Sequence, residues 1–474
     1  GDVYKRQVQE SRERVWAAIK NSGLSFPRLR ITINLAPADL KKQGPAYDLP
    51  IALSILSASG KIVLNKEEKS LFIGELSLNG DLRPVTGILS IAILARQQGI
   101  ENFYLPAINA PEASLIPGLN VMPVKSLSQL VEHLTGQNKI SPFERKEEER
   151  QEPNLCHYDF AYIKGQEHVK RALEIAAAGG HNILMTGPPG SGKTLLARSM
   201  PTILPSMTLE ESLEVTKIYS VAGILPPDKP LIQERPFRSP HHTASGVALV
   251  GGGAWPKPGE ISLAHRGVLF LDEFPEFPRV VLENLRQPLE DGVIFVSRAS
   301  GTLKFPAKFI LLAAMNPCPC GYLSDLERRC TCSPGQIIKY QKRISGPLLD
   351  RIDLHVEVPR VKFEKLAAEK AAESSKEVRK RVQQARDKQA ERFSDSKVKI
   401  ITNSEMSSQD VKEFCPVSSQ IQDLLRNAVN QLHLSARAYF RILKLARTIA
   451  DLENQEDISA HHVAEALQYR PKME

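Results

Sequence analysis

No stretch of this 474-residue chain strings together the roughly 20 apolar residues needed to cross a bilayer. No basic segment followed by an apolar one opens it, so neither a membrane anchor nor a secretory leader is expected, and the protein reads as cytoplasmic. Cysteine is scarce, at six residues. Without an export signal, that argues against a disulfide framework and leaves reduced thiols or a metal site. Charge of one sign is not in large excess: 62 Lys plus Arg against 54 Asp plus Glu gives +8, which permits nucleic-acid binding without requiring it. An initial Met is also missing, and Gly1 to Gln7 match nothing that follows, so they are set aside from fold reasoning. What remains, 42% apolar and 24% charged, is ordinary for a soluble globular protein of about two to four domains.

The strongest signal present is Gly187-Pro188-Pro189-Gly190-Ser191-Gly192-Lys193-Thr194, which satisfies G-x-x-x-x-G-K-[ST]. The apolar run Asn182 to Met185 before it reads as a buried strand, and Leu195 to Arg198 after it as the start of a helix, the context a phosphate loop requires. Glycines let successive N–H groups turn toward a polyphosphate, and the helix N-terminus adds partial positive charge. Lys193 is expected to reach the β and γ phosphates of ATP and Thr194 to ligate Mg2+. Gly267 to Leu271 is a second apolar run, ending in Asp272-Glu273. After a phosphate loop, that pair suits an Mg2+-holding carboxylate, Asp272, and a general base, Glu273, acting on the attacking water.

Upstream, residues 8–136 form a mixed α/β domain. Helices are expected at Glu10 to Ile19, Pro50 to Ser59 and Ile88 to Gln98, and strands at Arg30 to Leu35, Phe72-Ile73 and Phe103 to Leu105. Gly44-Pro45-Ala46 before one apolar helix, and Gly80 to Val85 before another, resemble the proteolytic domain of Lon-type proteases. That family's serine nucleophile would fall at Ala46 and its lysine base near Leu89 to Ile91. Neither group is present, so a degenerate, non-catalytic Lon-like domain is expected. Residues 137–155 are a charge-dense linker.

The order of parts after the linker resembles AAA+ ATPases. Ile163-x-Gly165-Gln166 is similar to their adenine-contacting box, and Asn316, closing the apolar run Phe309 to Met315, stands where they place a water-orienting sensor. Ser345 to Asp353 matches the segment that supplies an arginine finger. The resemblance makes Arg351 that finger, offered to a neighbour's nucleotide and worth on the order of 10³ to 10⁵ in rate; pairing with Asp350 or Asp353 is the plainer reading. Arg437 opens a helix at the sensor 2 position, where it would contact the same subunit's nucleotide.

Two insertions narrow the family. The block Arg238 to His265 resembles a helix-2 insert, and the strands 292–297 and 301–305 resemble a pre-sensor-1 hairpin with Arg298 at its tip, either a DNA contact or a cap of its own turn. The chain is thereby identified as a member of the ComM/YifB branch of magnesium-chelatase-like AAA+ ATPases. The resemblance implies a core at 156–359, an all-α lid at 360–474, ATP and Mg2+ as cofactors, and a homo-oligomeric ring, expected to be a hexamer. It implies no protease activity. Its relatives act on single-stranded or branched DNA, driving branch migration in natural transformation; the alternative is a chaperone-type motor remodelling a protein complex, as in metal insertion into porphyrins. Cys318-x-Cys320 and Cys330-x-Cys332 could hold Zn2+ or remain free thiols. His241 and His242 read as hydrogen-bonding loop residues rather than metal ligands. Phe363 to Phe393 reads as a solvated helix with a Glu377–Arg381 pair, and Ser459 as the N-cap of the last helix.

Overall fold

The computed structural model describes residues 2–28, 30–35, 44–65, 67–145, 158–253, 256–298, 301–323, 325, 327–361, 372–396, 399–431 and 434–470. Two compact units share the chain: Gly1–Gln151 with Ser212–Ile232, and Glu152–Glu211 with Gln233–Glu474.

In the first unit, helices α1 (Asp2–Asn21) and α2 (Asp48–Ala58) precede strand β1 (Ser70–Phe72), helix α3 (Ile88–Gln97), strands β2 (Asn102–Pro106) and β3 (Asn120–Val124), and helix α4 (Leu127–Leu134). The strands form a parallel sheet in the order β1-β2-β3. Alternation along β2 serves two cores: Tyr104 packs with Val15, Ile19, Leu53 and Leu130, Phe103 and Leu105 with Ile88, Ala92 and Val121. Asp48 is fully buried and held by Arg14 Nε at 2.8 Å and Ser11 Oγ at 2.6 Å, so a charge inside this core is paired.

Three sequence expectations change here. Helix α1 takes in residues 2–7, which had been set aside. The expected strand Arg30 to Leu35 is not one: 30–35 make no strand pairing, and Ile31, Ile33 and Leu35 are 37%, 50% and 37% exposed. Alternation alone does not make a strand without a neighbour to bond. Strand β3, unforeseen because of Pro123, lies at the sheet edge, where a missing N–H is tolerated.

The second unit carries helix α5 (Glu167–Gly179), strand β4 (Ile183–Thr186) and helix α6 (Lys193–Ile203). Strands β5 (Phe237–Arg238), β6 (Val268–Leu271), β7 (Val293–Arg298), β8 (Gly301–Pro306), β9 (Ile310–Met315) and β10 (Leu354–Glu357) follow. Five make one parallel sheet in the order β10-β4-β9-β6-β5. β6 and β9 are buried at every residue, which is why they read as continuous apolar runs; a parallel sheet is covered on both faces. Strands β7 and β8 pair antiparallel from Val293↔Pro306 to Arg298↔Gly301, forming the expected hairpin.

Helices α7 (Pro334–Gln341), α8 (Ser375–Arg392), α9 (Ser419–Gln431), α10 (Ala436–Leu452) and α11 (Ala460–Gln468) complete the unit. Sheet and helices share one apolar core, joining Ile183, Phe270 and Leu312 to Val382, Ile442, Ala446 and Val463. Helix α8 is therefore not merely solvated: Val378, Val382, Ala385 and Gln389 are buried along one face. Glu377 closes a capping box with Ser374, while Arg381 pairs with Glu174 at 2.7 Å and with Glu373, so the expected Glu377–Arg381 pair is replaced by a cap and two longer-range bonds. Ser459 occupies the N-cap of α11. The first part of the helix expected from Phe363, residues 363–371, lies outside the described residues.

Candidate nucleotide site

The phosphate loop, Asp272 and Asn316 meet at one edge of the sheet because parallel strands deliver their carboxyl ends together. Thr186 pairs with Met315, and Leu271 with Ala313, so the residues just beyond each strand are neighbours. The loop needs its glycines: Gly190 and Gly192 have φ of 76° and 89°, and a Cβ on Gly187 would lie 2.2 Å from Val358 O. Lys193 Nζ donates to Gly187 O at 2.7 Å, Pro188 O at 2.9 Å and Asn316 Oδ1 at 3.3 Å. Burial lowers its pKa, and the Asp272 carboxylate acts in the opposite direction. Thr194 Oγ1 donates to Asp272 Oδ2 at 2.8 Å, bringing together a hydroxyl and a carboxylate, the hard oxygen donors that Mg2+ takes. Gln166, in the expected adenine box, donates from Nε2 to Ser191 O at 2.7 Å and Pro359 O at 2.9 Å, so it braces the loop.

Glu273 follows Asp272 with φ 52°, an uncommon conformation for a side chain-bearing residue, fixed by its N–H donating to Asp272 Oδ1 at 2.9 Å. Its Oε2 lies 3.0 Å from His242 Nδ1. His242 packs tilted against His241, ring centroids 4.1 Å apart, and meets the edge of Phe277 at 6.4 Å; His241 Nδ1 is 2.9 Å from Thr243 Oγ1. His241 therefore bonds within its own loop, whereas His242 pairs with Glu273 outside it. Sequence reasoning did not find the partner of His242, because that contact joins positions far apart in sequence.

Arg351 and Arg437 lie elsewhere. Asn182, just before β4, accepts from Asp353 N at 3.0 Å and donates to Arg351 O at 3.1 Å, which puts Arg351 at the amino edge of the sheet, opposite the phosphate loop. The residue is 6% exposed; its guanidinium donates to Pro347 O at 2.7 Å and pairs with Glu290, its acidic partner among the described residues, rather than with Asp350 or Asp353. Arg437 Nη2 donates to the other oxygen of Glu290 at 2.9 Å. Arg437, expected to contact its own subunit's nucleotide, here shares a carboxylate with Arg351 at the edge away from Lys193. The two guanidiniums hold the Glu290 carboxyl below its usual range.

Three family models match this chain: "Subunit ChlI of Mg-chelatase" over residues 3–109, "Magnesium chelatase, subunit ChlI" over 159–366, and "Magnesium chelatase, subunit ChlI C-terminal" over 372–470. Competence protein ComM of Haemophilus influenzae is 45% identical over 479 residues, covering 98% of this chain and 90% of its own. The chain belongs to the ComM/YifB family of ChlI-like proteins. YifB of Escherichia coli is 44% identical over 464 residues, covering 98% of this chain and 89% of its own. Rv2897c of Mycobacterium tuberculosis is 42% identical over 464 residues, covering 98% and 91%. The ChlI group is an AAA+ ATPase family.

In this ComM/YifB chain, Arg238 of the insert region forms a two-pronged pair with Glu260, at 2.6 and 2.7 Å. Arg298 is the last paired residue of β7; the turn at 299–300 and the Arg298 side chain lie outside the described residues. The four loop cysteines gather into one group, with sulfur atoms 3.4 Å apart for Cys318 and Cys320, a donor set suited to Zn2+. Among the described residues no helix is long and apolar enough to cross a membrane.

Proposed function

We propose that this chain is an ATP-hydrolysing motor that works as a homo-oligomeric ring, expected to hold six subunits, and that it moves or remodels DNA. The observation that carries the ATPase reading is the convergence of Lys193, Thr194, Asp272 and Asn316 at one sheet edge, through bonds of 2.8 Å between Thr194 and Asp272 and 3.3 Å between Lys193 and Asn316. Lys193 and the loop N–H groups bind and orient the phosphates. Thr194 and Asp272 would hold Mg2+, which when bound neutralises phosphate charge. Glu273 accepts a proton from water, with its carboxylate oriented by His242. Arg351 and Arg437, facing away from their own loop, serve a neighbouring subunit's nucleotide. The ring is thereby part of the active site.

DNA as the substrate rests on the kinship with a protein named for competence and on the hairpin ending in Arg298, a basic residue at a tip that could grip phosphate without reading sequence. The Lon-like domain, 8–136, serves as a non-catalytic module: Ala46 offers no hydroxyl, and Leu89, fully buried, offers no amine. A linker at 137–155, an ATPase core at 156–359 and a lid at 360–474 make up the remainder. The deciding experiment measures ATPase rate with and without single-stranded and branched DNA. Stimulation is expected, with Arg298→Ala weakening DNA binding and flattening its salt dependence while basal hydrolysis survives. A rate indifferent to either DNA would refute the DNA reading.

A further inference from the structure

The cysteine group does more than satisfy a spacing rule. Its four ligand atoms all lie within 4.8 Å of one another; Cys318 and Cys330 are 3.7 Å apart, Cys320 and Cys330 3.6 Å, and Cys318 and Cys320 3.4 Å, sulfur to sulfur. A tetrahedral zinc at about 2.3 Å from each sulfur calls for edges of about 3.8 Å, so these distances need to open by only a few tenths of an ångström. Cys320 N donates to Cys332 Sγ at 3.4 Å, the type of outer contact that steadies a ligating thiolate. Arg328 and Arg329 immediately precede Cys330, placing positive charge beside a group that would carry a net negative one.

The position of this group in the chain gives it a second consequence. Cys318 comes two residues after Asn316. At the other end, Ser333 follows Cys332 and caps α7 with a capping box. From that helix the Tyr340 hydroxyl comes close enough to the Asn316 backbone to feel it electrostatically. Between the cysteine pairs, Gly321 turns back with φ 86° and lies so close to the phosphate loop that a Cβ there would be 2.6 Å from Pro189 Cδ. Both ends of the loop thus return to Asn316, whose Oδ1 accepts from Lys193 at 3.3 Å.

We propose that Cys318, Cys320, Cys330 and Cys332 bind one zinc ion, and that this ion, by closing the loop at both ends, positions Asn316 for ATP hydrolysis. The first clause stands alone; the second rests on the nucleotide-site reading above. Zinc acts here as a structural cross-link that limits the excursions of a loop, and takes no part in the reaction.

Elemental analysis of the purified full chain is expected to give one zinc per chain. Less than a tenth of an equivalent after dialysis against zinc, with all four thiols open to a thiol reagent, would overturn the metal site. For the second clause, a mercurial thiol reagent strips zinc from the folded wild-type chain, which avoids any variant that fails to fold. Hydrolysis is then expected to fall about 10- to 100-fold in kcat, with KM for ATP within about twofold, and to return when thiol and zinc are restored. Cys332→Ser should reproduce both the metal loss and the kcat loss. Full zinc release with kcat unchanged would overturn the positioning clause. Lys193→Ala separates the two readings, since it should abolish hydrolysis at full zinc content; a wild-type chain with full zinc and no hydrolysis would remove the positioning clause together with the nucleotide reading.

Discussion

Replacing Lys193 with alanine tests how far one side chain serves both ligand and fold. The ammonium makes two short bonds, to Gly187 O at 2.7 Å and Pro188 O at 2.9 Å, and a longer one to Asn316 at 3.3 Å. Each such bond contributes about 0.5–1.5 kcal/mol net, so losing the three costs about 1.5–4.5 kcal/mol. Removing a desolvated cation returns part of this: burial lowers the pKa of Lys193, which means that the folded state holds the charge at some cost. A net destabilisation of about 1–2 kcal/mol follows, a few degrees in melting temperature for a unit of this size. Thermal unfolding without nucleotide, beside equilibrium ATP binding and steady-state hydrolysis, measures all three effects. The expected result is a modest fall in melting temperature, with phosphate-dependent ATP affinity and turnover lost. A fall of more than about 10 °C would make Lys193 chiefly a structural pin, and wild-type ATP affinity would refute the phosphate contact.

Glu273→Gln should bind ATP and hold it, with kcat lower by about 10²- to 10⁴-fold; turnover near wild type would take Glu273 out of the mechanism. Mixing Lys193→Ala subunits with either Arg351→Ala or Arg437→Ala subunits should restore part of the activity, since both arginines lie at the edge away from their own loop. No recovery in rings shown to be mixed would place their action within one subunit. Burial, aided by the Arg470 charge, pushes the His355 imidazole down to about 4, against about 6.5 in the unfolded chain. The unfolded chain binds the additional proton between these values, so stability is full above pH 6.5 and falls by about 3 kcal/mol as pH drops to 4. His355→Gln should remove that acid-side loss in urea unfolding at pH 7 and pH 4; an unchanged difference would refute the assignment.

Much of the nucleotide site was legible because its residues are contiguous or end a strand. The phosphate loop, Asp272-Glu273 and Asn316 each follow an apolar run long enough to be a buried strand, and a parallel sheet gathers strand ends without further information. What could not be read depends on contacts between distant positions. Glu290 has no motif, yet it decides where Arg351 and Arg437 point; His242 looked like a loop residue until the fold set it against Glu273. The surface reading of α8 failed because its buried positions 378, 382, 385 and 389 are small or polar beside abundant charge. Strand β3 was hidden by Pro123, and 30–35 looked like a strand because alternation reports side-chain spacing, not the presence of a bonding neighbour.

One carboxylate serving two guanidiniums gives the Glu290 group an uneven count: one negative charge against two positive ones. The surplus is a single positive charge, already oriented by hydrogen bonds at the sheet edge opposite the phosphate loop. Drawing either arginine toward an incoming anion shifts the share of Glu290 held by the other, so the two side chains answer as a couple. Their affinities for such an anion are accordingly linked, and a double substitution at Arg351 and Arg437 will differ from the sum of the two single ones.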